Sequence, residues 1–258
     1  MTDTPEFSLH GKTALVTGAA RGLGRAIAVA LAKAGADVAL GLRSAAADDG
    51  AAAEIAGLGR KAVPLQLDAR DLPQAYAAVD GAISALGGID ILVNNVGGGE
   101  AQGPVEDFTE AEFDDMVALN VKSAFFLSQR VGRHMIARKK GGRIINMSSQ
   151  AAFIALPTEA IYCTCKAAVS HMTKCFAVEW GKHEITVNAV APTFIRTPGT
   201  EPALADPVFR AEVIEMIAAL HRIGEPREVS GAVVFLASPA ASLITGQSLI
   251  IDGGWTAR

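Results

Sequence analysis

The stretch Thr17-Gly18-Ala19-Ala20-Arg21-Gly22-Leu23-Gly24 places three glycines close together near the start of the chain. It directly follows the β-rich apolar run 12–16, and a helical pattern with an apolar stripe follows it over 25–35. In such a strand–turn–helix, glycines let the backbone approach a pyrophosphate, and the helix N-terminus favours its negative charge. The stretch therefore predicts a dinucleotide-binding turn. A tight turn without a ligand is the alternative, since the spacing G-x-x-x-G-x-G differs from the commoner G-x-G-x-x-G.

Short apolar runs alternate with helical patterns along all 258 residues. Runs such as 89–93 and 186–191 do not alternate cleanly with polar residues, which indicates strands buried on both faces and therefore parallel. We predict an α/β fold in one domain, 1–258, with a doubly wound parallel sheet of about seven strands and helices on both faces. The predicted strands are 12–17, 37–42, 62–67, 89–93, 142–148, 185–191 and 248–251. The predicted helices lie near 22–34, 47–58, 71–86, 110–138, 159–182 and 226–237.

Residues 193–225 break this alternation. They contain Pro198, Pro202 and Pro207 and a helical pattern near 207–220, but no strand. A long insertion in a compact domain is often a binding loop. We expect a substrate loop or lid, with a packed surface excursion as the alternative.

Tyr162 and Lys166 lie four residues apart in a helical pattern, so they share one helix face. A lysine there favours the tyrosinate, which brings a phenol with an ordinary pKa of about 10 into use near neutral pH. This is chemistry suited to proton transfer between a carbonyl and an alcohol. The pair alone is common, and it gains weight from the glycine-rich turn and from serines thirteen residues upstream of Tyr162.

Composition narrows the classes of function. A net charge of −4 argues against a nucleic-acid or anionic-membrane surface. The cysteines Cys163, Cys165 and Cys175 match neither a metal site nor a disulfide framework, and we predict no metal. The first ten residues lack signal-peptide features, and no apolar run could span a bilayer. We expect a soluble cytoplasmic protein.

With these motifs in place, the chain resembles the classical short-chain dehydrogenase/reductase family over essentially its full length, which implies a Rossmann-type domain. Further elements of the resemblance are 94–97 (Asn-Asn-Val-Gly), 119–121 (Leu-Asn-Val), Ser148-Ser149, 188–192 (Asn-Ala-Val-Ala-Pro), 245–247 and 252–254. Thr193 stands where the family usually has glycine after proline.

The resemblance implies a catalytic set of Asn120, Ser149, Tyr162 and Lys166. Tyr162 would exchange the proton with the substrate oxygen, and Ser149 would hydrogen-bond that oxygen. Lys166 would depress the tyrosine pKa and bind the nicotinamide ribose, and Asn120 would hold a water in the proton relay.

The resemblance also implies cofactor contacts, at Gly18, Arg21, Gly22, Leu23, Gly24, Arg43, Asp68, Ala69, Asn95, Gly97, Tyr162, Lys166, Ile195 and Thr197. An NAD site usually places a carboxylate about twenty residues after the glycine turn. Here the second strand ends in Arg43, and the first carboxylate is Asp48. A forked guanidinium suits a 2′-phosphate, and Arg21 could add to it. We predict NADP(H), with NAD as the alternative, in which case Arg43 stacks on adenine.

By position, the substrate pocket has walls from 98–102, 150–158 and the segment after Thr193. Gln102, Gln150, Thr158 and Glu159 supply hydrogen-bonding groups, which favours a sugar, sugar acid or polyol as the small-molecule substrate. A second hypothesis is a 3-oxoacyl carrier-protein reductase, with Arg138-Lys139-Lys140 as a docking patch beside the site. A third is a non-catalytic nucleotide-binding sensor. The resemblance implies a homotetramer built through helices 110–138 and 159–182, where Phe125, Phe126, Phe176 and Trp180 lie either at an interface or in the core.

Overall fold

Seven strands form one sheet in the computed structural model, which describes residues 6–44, 48, 50–99 and 101–257. They are β1 (Thr13–Thr17), β2 (Asp37–Leu42), β3 (Ala62–Gln66), β4 (Ile91–Asn94), β5 (Gly142–Met147), β6 (Ile185–Pro192) and β7 (Ser248–Ile251). Their order is β3-β2-β1-β4-β5-β6-β7, and every neighbouring pair is parallel. The predicted doubly wound parallel sheet is confirmed.

Helices connect the strands and cover the sheet. They are α1 (Gly22–Lys33), α2 (Ala51–Gly57), α3 (Leu72–Leu86), α4 (Glu110–Val117), α5 (Ser123–Arg138), α6 (Ala160–Trp180), α7 (Glu201–Leu204), α8 (Pro207–Met216) and α9 (Pro226–Ala237). Within the described ranges, no helix combines the length and apolarity that crossing a bilayer requires.

Two apolar layers enclose the sheet because successive strand residues point to opposite faces. Val16 and Val38 belong to a buried cluster with residues of α1, α2 and α9. Leu15 and Ala39 belong to a second cluster with residues of α3, α5 and α6. All eight residues of β6 are buried, which explains why its sequence lacks alternation.

The predicted helix 110–138 is interrupted. A π-helical segment, Ala118–Lys122, separates α4 from α5, and the prediction of one regular helix is wrong there. The side chain of Asn120 lies inside this segment and donates to the carbonyl oxygen of Met116 at 3.0 Å. A π-bulge changes the direction of one side chain without ending the helix, and such bulges are frequent at functional sites.

The predicted helix near 47–58 begins later in the structure than the sequence predicts. Position 47 lies outside the described residues, and α2 begins at Ala51. The Asp48 carboxylate accepts a hydrogen bond from the Ala51 N–H at 2.9 Å, so Asp48 precedes the helix as its side-chain cap. The other predicted helices and strands differ from the structure by up to two residues at their ends, except that the last helical pattern before α9, 207–220, ends four residues early.

The segment 193–225 contains α7 and α8, and only an isolated bridge joins Ile195 to Gly224. Its apolar side chains form a cluster of their own around Leu204, Val213 and Ile217, with Trp255 from the end of the chain. This cluster lies over the carboxyl ends of β5 and β6, where Ile154 and Leu156 also join it.

Candidate active site

The polar residues singled out from the sequence gather at the carboxyl ends of β1, β4, β5 and β6. The strand order reverses between β1 and β4, which pair side by side although β2 follows β1 in the chain. Open α/β sheets bind ligands at such a reversal, in the crevice beyond the strand ends. Three adjoining cavities lie along this edge of the sheet.

The glycine-rich turn packs so closely that side chains are excluded. A Cβ atom on Gly24 would lie 2.1 Å from the carbonyl oxygen of Gly18. Arg21 occupies the N-cap of α1 without a capping hydrogen bond from its side chain, and the first turn carries no acidic residue. The first N–H groups of α1 are therefore open to an anion such as a phosphate.

Asn95 ties this turn to the end of β4. Its side-chain amide donates to the carbonyl oxygens of Thr17 and Gly18 at 2.9 and 3.3 Å. In return, the Thr17 hydroxyl accepts from the N–H groups of Asn95 and Val96 at 3.0 and 3.1 Å. Sequence reasoning missed Thr17, and its position as the last residue of β1, next to the first glycine, was the available signal.

A cavity of about 590 Å³ extends from the turn towards β2 and β3. It is lined by Gly18, Ala20, Arg21, Arg43, Leu67, Asp68, Ala69, Arg70, Asn95, Val96, Gly97 and Leu119. Neither Arg21 nor Arg43 forms an ion pair with another residue that the structure describes. Asp48, the first carboxylate after β2, is engaged as the cap of α2.

Tyr162 and Lys166 occupy neighbouring turns of α6. The Lys166 nitrogen lies 5.5 Å from the centre of the Tyr162 ring and donates to the carbonyl oxygen of Met147 at 3.1 Å. Burial lowers the pKa of Lys166 to about 8. Burial of the phenol raises the pKa of Tyr162 to about 12, while the Ser149 hydroxyl opposes that shift.

The expectation that Lys166 depresses the pKa of Tyr162 is therefore wrong for this structure. Loss of hydration disfavours both charged forms, the tyrosinate and the ammonium, and it is the largest cause of both pKa shifts. The ammonium also contacts the face of the ring and the Met147 carbonyl, not the phenol oxygen.

The two serines at the end of β5 have different partners. Ser148 donates to the carbonyl oxygen of Lys166 at 3.1 Å and lies 2.7 Å from the Ser170 hydroxyl, so it joins the strand to α6. Ser149 donates to the side-chain oxygen of Gln150 at 2.7 Å and lines the same cavities as Tyr162. This arrangement agrees with the choice of Ser149 as the serine nearer to the chemistry.

Asn120 is buried, with 1% of its surface exposed, and all its hydrogen bonds go to main-chain atoms. It accepts from the Gly98 N–H at 2.9 Å and donates to the Gly98 carbonyl at 2.7 Å. Gly97 sits between Asn120 and Lys166, since a Cβ there would lie 2.6 Å from the lysine nitrogen and 3.0 Å from the Asn120 oxygen. Asn120 thus fixes the loop after β4 against the lysine.

A second cavity, of about 240 Å³, continues from the turn to the Tyr162–Lys166 pair. Its walls are Leu23, Asn95, Gly97, Gly98, Met147, Ser148, Ser149, Tyr162, Lys166, Pro192, Thr193, Ile195, Thr197 and Thr200. The hydroxyl of Thr193 is buried and has no hydrogen-bond partner among the residues that the structure describes, so a ligand atom could satisfy it. The close-packed glycine turn, the open helix N-terminus and this hydroxyl together fit an elongated dinucleotide.

The third cavity, of about 220 Å³, begins at Tyr162 and extends under the 193–225 segment. We call it the substrate cavity, and it is lined by Gly98, Gly99, Ser149, Gln150, Leu156, Glu159, Tyr162, Thr193, Phe194 and Thr200. Of the predicted wall, Thr158 is exposed and its hydroxyl donates to the Pro157 carbonyl, and Glu100 lies outside the described residues. Gln102 contributes through a hydrogen bond to Glu159.

The basic run Arg138-Lys139-Lys140 lies away from these cavities, so its predicted place beside the site is wrong. Arg138 donates to the carbonyl oxygen of Ile89 at 3.1 Å and pairs with Asp90 at 3.0 Å. Both contacts precede β4, at the amino ends of the strands. The run begins at the last residue of α5, on the edge opposite to Tyr162.

Known proteins resemble this chain over nearly its whole length. A family model described as enoyl-(acyl carrier protein) reductase matches residues 18–256. The 2-dehydro-3-deoxy-D-gluconate 5-dehydrogenase of Escherichia coli K12 is 40% identical over 255 residues, 98% of each chain. The D-threitol dehydrogenase of Mycolicibacterium smegmatis is 38% identical over 253 residues, 98% of this chain and 96% of its own length.

Two solved structures are also similar to this chain. A short-chain type dehydrogenase/reductase from Mycobacterium marinum superposes with a TM-score of 0.92 at 41% identity, covering 98% of both chains. A gluconate 5-dehydrogenase from Burkholderia cenocepacia J2315, in complex with NADP and tartrate, gives a TM-score of 0.92 at 34% identity over 98% of both chains.

Proposed function

Because this chain belongs to the short-chain dehydrogenase/reductase family and is an NAD(P)-dependent oxidoreductase acting on CH–OH groups, we propose that it oxidises or forms a secondary alcohol on a sugar, sugar acid or polyol with NADP(H). One observation carries the substrate class. The substrate cavity that opens from Tyr162 measures about 220 Å³ and presents the polar side chains Gln150, Glu159, Thr193 and Thr200. Pockets for drug-sized ligands span roughly 300–1,000 Å³, so this cavity suits a small molecule, to which the four polar side chains offer hydrogen bonds.

The relatives support the same substrate class. They include proteins named for a sugar acid and for a four-carbon polyol. A carrier-bound acyl substrate fits less well, because the basic run that would dock the carrier lies at the opposite edge of the sheet.

The positions of four side chains support the proposed catalytic roles. A nicotinamide bound in the second cavity would supply or accept the hydride. In the reducing direction Tyr162 gives its proton to the carbonyl oxygen, and in oxidation it takes the alcohol proton. Ser149 hydrogen-bonds the same oxygen where charge develops. Lys166 supplies a cation beside the phenol and would bind the ribose. Asn120 keeps the Gly98 loop in place and would hold a water of the relay.

NADP(H) is the proposed cofactor because the cavity beside β2 holds Arg21 and Arg43, two guanidiniums without an ion pair among the described residues. The 2′-phosphate would meet these groups. The remaining contacts would come from Gly18, Gly22, Leu23, Gly24, Asp68, Ala69, Asn95, Gly97, Ile195 and Thr197. The protein from Burkholderia cenocepacia that shares this fold was crystallised with NADP.

We further propose one domain over residues 1–258, with 193–225 as a lid over the substrate, and a homotetramer in the cytoplasm. Of the two positions expected for Phe176, at an interface or in the core, Phe176 takes the core, with 7% of its surface exposed. On the outer faces of α5 and α6, Phe125 and Val178 are 37% and 84% exposed and supply apolar surface for association. The three cysteines are free thiols, which suits a reducing compartment.

Initial rates test the proposal. Wild-type protein is assayed with NADP⁺ and NAD⁺ against sugars, sugar acids and polyols, and in the reverse direction against carrier-type ketoesters. We expect oxidation of polyhydroxylated substrates with a preference for NADP⁺. Reduction of ketoesters alone would favour the carrier-protein hypothesis and overturn the proposed substrate class, and cofactor binding without turnover would favour a sensor.

A further inference from the structure

Glu159 brings a carboxylate into the substrate cavity. It occupies the N-cap of α6, three residues before Tyr162, so the two side chains lie on one helix face. Both line the cavity of about 220 Å³, and Glu159 is half-buried. Nothing in the proton transfer assigned to Tyr162 uses this carboxylate.

Two contacts hold Glu159 in place from the loop after β4. The side-chain amide of Gln102 donates to its oxygen Oε1. The Gly103 N–H donates to the carbonyl oxygen of the preceding residue, Thr158, at 3.0 Å. Thr158 has a φ of 63°, a left-handed conformation that costs free energy for a residue other than glycine. The chain accepts this strain directly beside Glu159, and the two loop contacts maintain it.

Among the described residues that line the substrate cavity, Glu159 supplies a negative charge that no lining cation balances. Of its lining residues that the structure describes, none is a lysine or an arginine. Burial raises the pKa of Glu159, and the Gln102 hydrogen bond opposes this shift by stabilising the carboxylate. The Glu159 charge in turn helps to raise the pKa of Tyr162, which shows that the two groups sense each other electrostatically.

We propose that Glu159, positioned by Gln102, is a specificity-determining residue that selects an uncharged polyol or sugar and disfavours a sugar acid. The inference rests on the proposed function, which left sugars, sugar acids and polyols together. It separates this chain from relatives that are named for sugar acids.

The selection has a simple chemical basis. A carboxylate has only acceptor sites and can receive hydrogen bonds from two neighbouring hydroxyl groups of a polyol. The carboxylate of a sugar acid offers no donor and adds a like charge in a confined, partly desolvated space. No described lysine or arginine lines the cavity itself, and the Lys166 ammonium beyond Tyr162 donates to the Met147 carbonyl, so no described cation pairs with Glu159.

The test compares two substrates that differ in one group, threitol and threonate of matched configuration. Values of kcat/KM are measured for both with wild-type protein and with Glu159→Gln, which keeps the shape and removes the charge. We expect wild type to favour threitol. Because removing a nearby like charge in a partly screened site is worth about one factor of ten, Glu159→Gln should raise kcat/KM for threonate about tenfold relative to threitol.

Glu179→Gln is the matched control, since it removes the same charge from an exposed position at the other end of α6. It should leave the ratio of the two kcat/KM values unchanged. An unchanged ratio in Glu159→Gln, with both substrates oxidised, would overturn this inference alone. Failure of wild type to oxidise any polyol or sugar acid would overturn the proposed function and this inference with it.

Gln102→Ala tests the positioning role. If Gln102 acts by holding Glu159, its loss should raise KM for threitol about threefold to tenfold with little change in kcat, because uniform binding is lost. Glu159→Asp, which keeps the charge, should retain the preference for threitol over threonate. A Gln102→Ala variant that lowers kcat and leaves KM unchanged would contradict the positioning role.

Discussion

The nitrogen of Lys166 lies over the ring of Tyr162, 5.5 Å from its centre, and donates its hydrogen bond to the Met147 carbonyl. Both groups titrate abnormally because both are buried. The pKa of Lys166 falls from 10.5 to about 8, and the pKa of Tyr162 rises from 10.0 to about 12. At neutral pH the phenol therefore keeps its proton, ready for transfer to a carbonyl.

The lowered pKa of Lys166 predicts how stability depends on pH. Between about pH 8 and pH 10.5 the unfolded chain binds the lysine proton more strongly than the folded chain does, so the free energy of unfolding should rise with pH across this window. Each pKa unit corresponds to about 1.4 kcal/mol, which sets the rise at roughly 3 kcal/mol. Tyr162, whose pKa is raised, contributes stability that is present below pH 10.0 and is lost through about pH 12. It does not oppose the rise over most of this window.

Urea unfolding of wild type and Lys166→Met over this window measures the effect. The variant should lose the rise, so that the free energy of unfolding of wild type increases relative to that of the variant as pH increases. Parallel pH curves for the two proteins would contradict the burial argument for Lys166.

The raised pKa of Tyr162 predicts opposite pH dependence for the two reaction directions. Oxidation needs the tyrosinate, whose population increases about tenfold per pH unit well below the pKa. We expect kcat/KM for alcohol oxidation to increase from neutral to alkaline pH, while kcat/KM for carbonyl reduction does not increase. Measuring both with the same substrate pair checks the sign. Reduction that accelerates with pH would be incompatible with proton donation by Tyr162.

Arg43 should set the preference between the two cofactors. It lines the cavity beside β2, and no ion pair among the described residues neutralises it. A charge-assisted contact to a phosphate is worth roughly 1.5–3 kcal/mol, so Arg43→Ala should raise KM for NADP⁺ by roughly tenfold to a hundredfold and change KM for NAD⁺ little. Arg133→Ala, an exposed arginine on α5, serves as the control. Equal losses for both cofactors would show that Arg43 stacks on adenine.

We expect the Thr193 hydroxyl to contribute to ligand binding and not to the stability of the fold. This buried hydroxyl has no hydrogen-bond partner in the described part of the chain, and an unsatisfied buried polar group costs about 1–3 kcal/mol. Thr193→Val keeps the shape and removes the hydroxyl, so the free protein should become more stable by about 1 kcal/mol while KM for cofactor or substrate increases. Thermal unfolding without ligand and steady-state kinetics measure the two effects. Destabilisation with unchanged KM would mean that the hydroxyl serves the fold alone.

The sheet was predictable because its strands are continuous apolar runs. A run such as 186–191, with no polar alternation, is typical of a strand buried on both faces. The positions of the proposed catalytic residues were predictable in part, since Ser149 follows the predicted strand 142–148 closely and Tyr162 and Lys166 lie in the helical pattern after it. The pKa shifts of Tyr162 and Lys166 were not predictable. The spacing of Tyr162 and Lys166 indicated attraction, whereas the pKa of each is governed by burial, which depends on packing from distant segments.

Other features also required the three-dimensional structure. The π-helical segment around Asn120 depends on hydrogen bonds to Gly98, which lies 22 residues away in the chain. The edge of the sheet on which Arg138 lies is set by its contacts with Ile89 and Asp90, and composition alone did not give it. From the sequence, Glu159 is one polar wall residue among several, whereas the structure shows its contact with Gln102 and a cavity lining without a described lysine or arginine.

We propose that Tyr162 transfers the proton in an NADP(H)-dependent oxidation of a polyhydroxylated alcohol. The most direct measurement compares wild type with Tyr162→Phe, using the rate of NADPH formation from the best polyol and the affinity for NADPH by fluorescence titration. Since general acid–base catalysis contributes about 10²–10⁴-fold, we predict that kcat falls by at least a factor of about one hundred while NADPH affinity stays within about threefold. A Tyr162→Phe variant that retains the wild-type kcat would contradict the account.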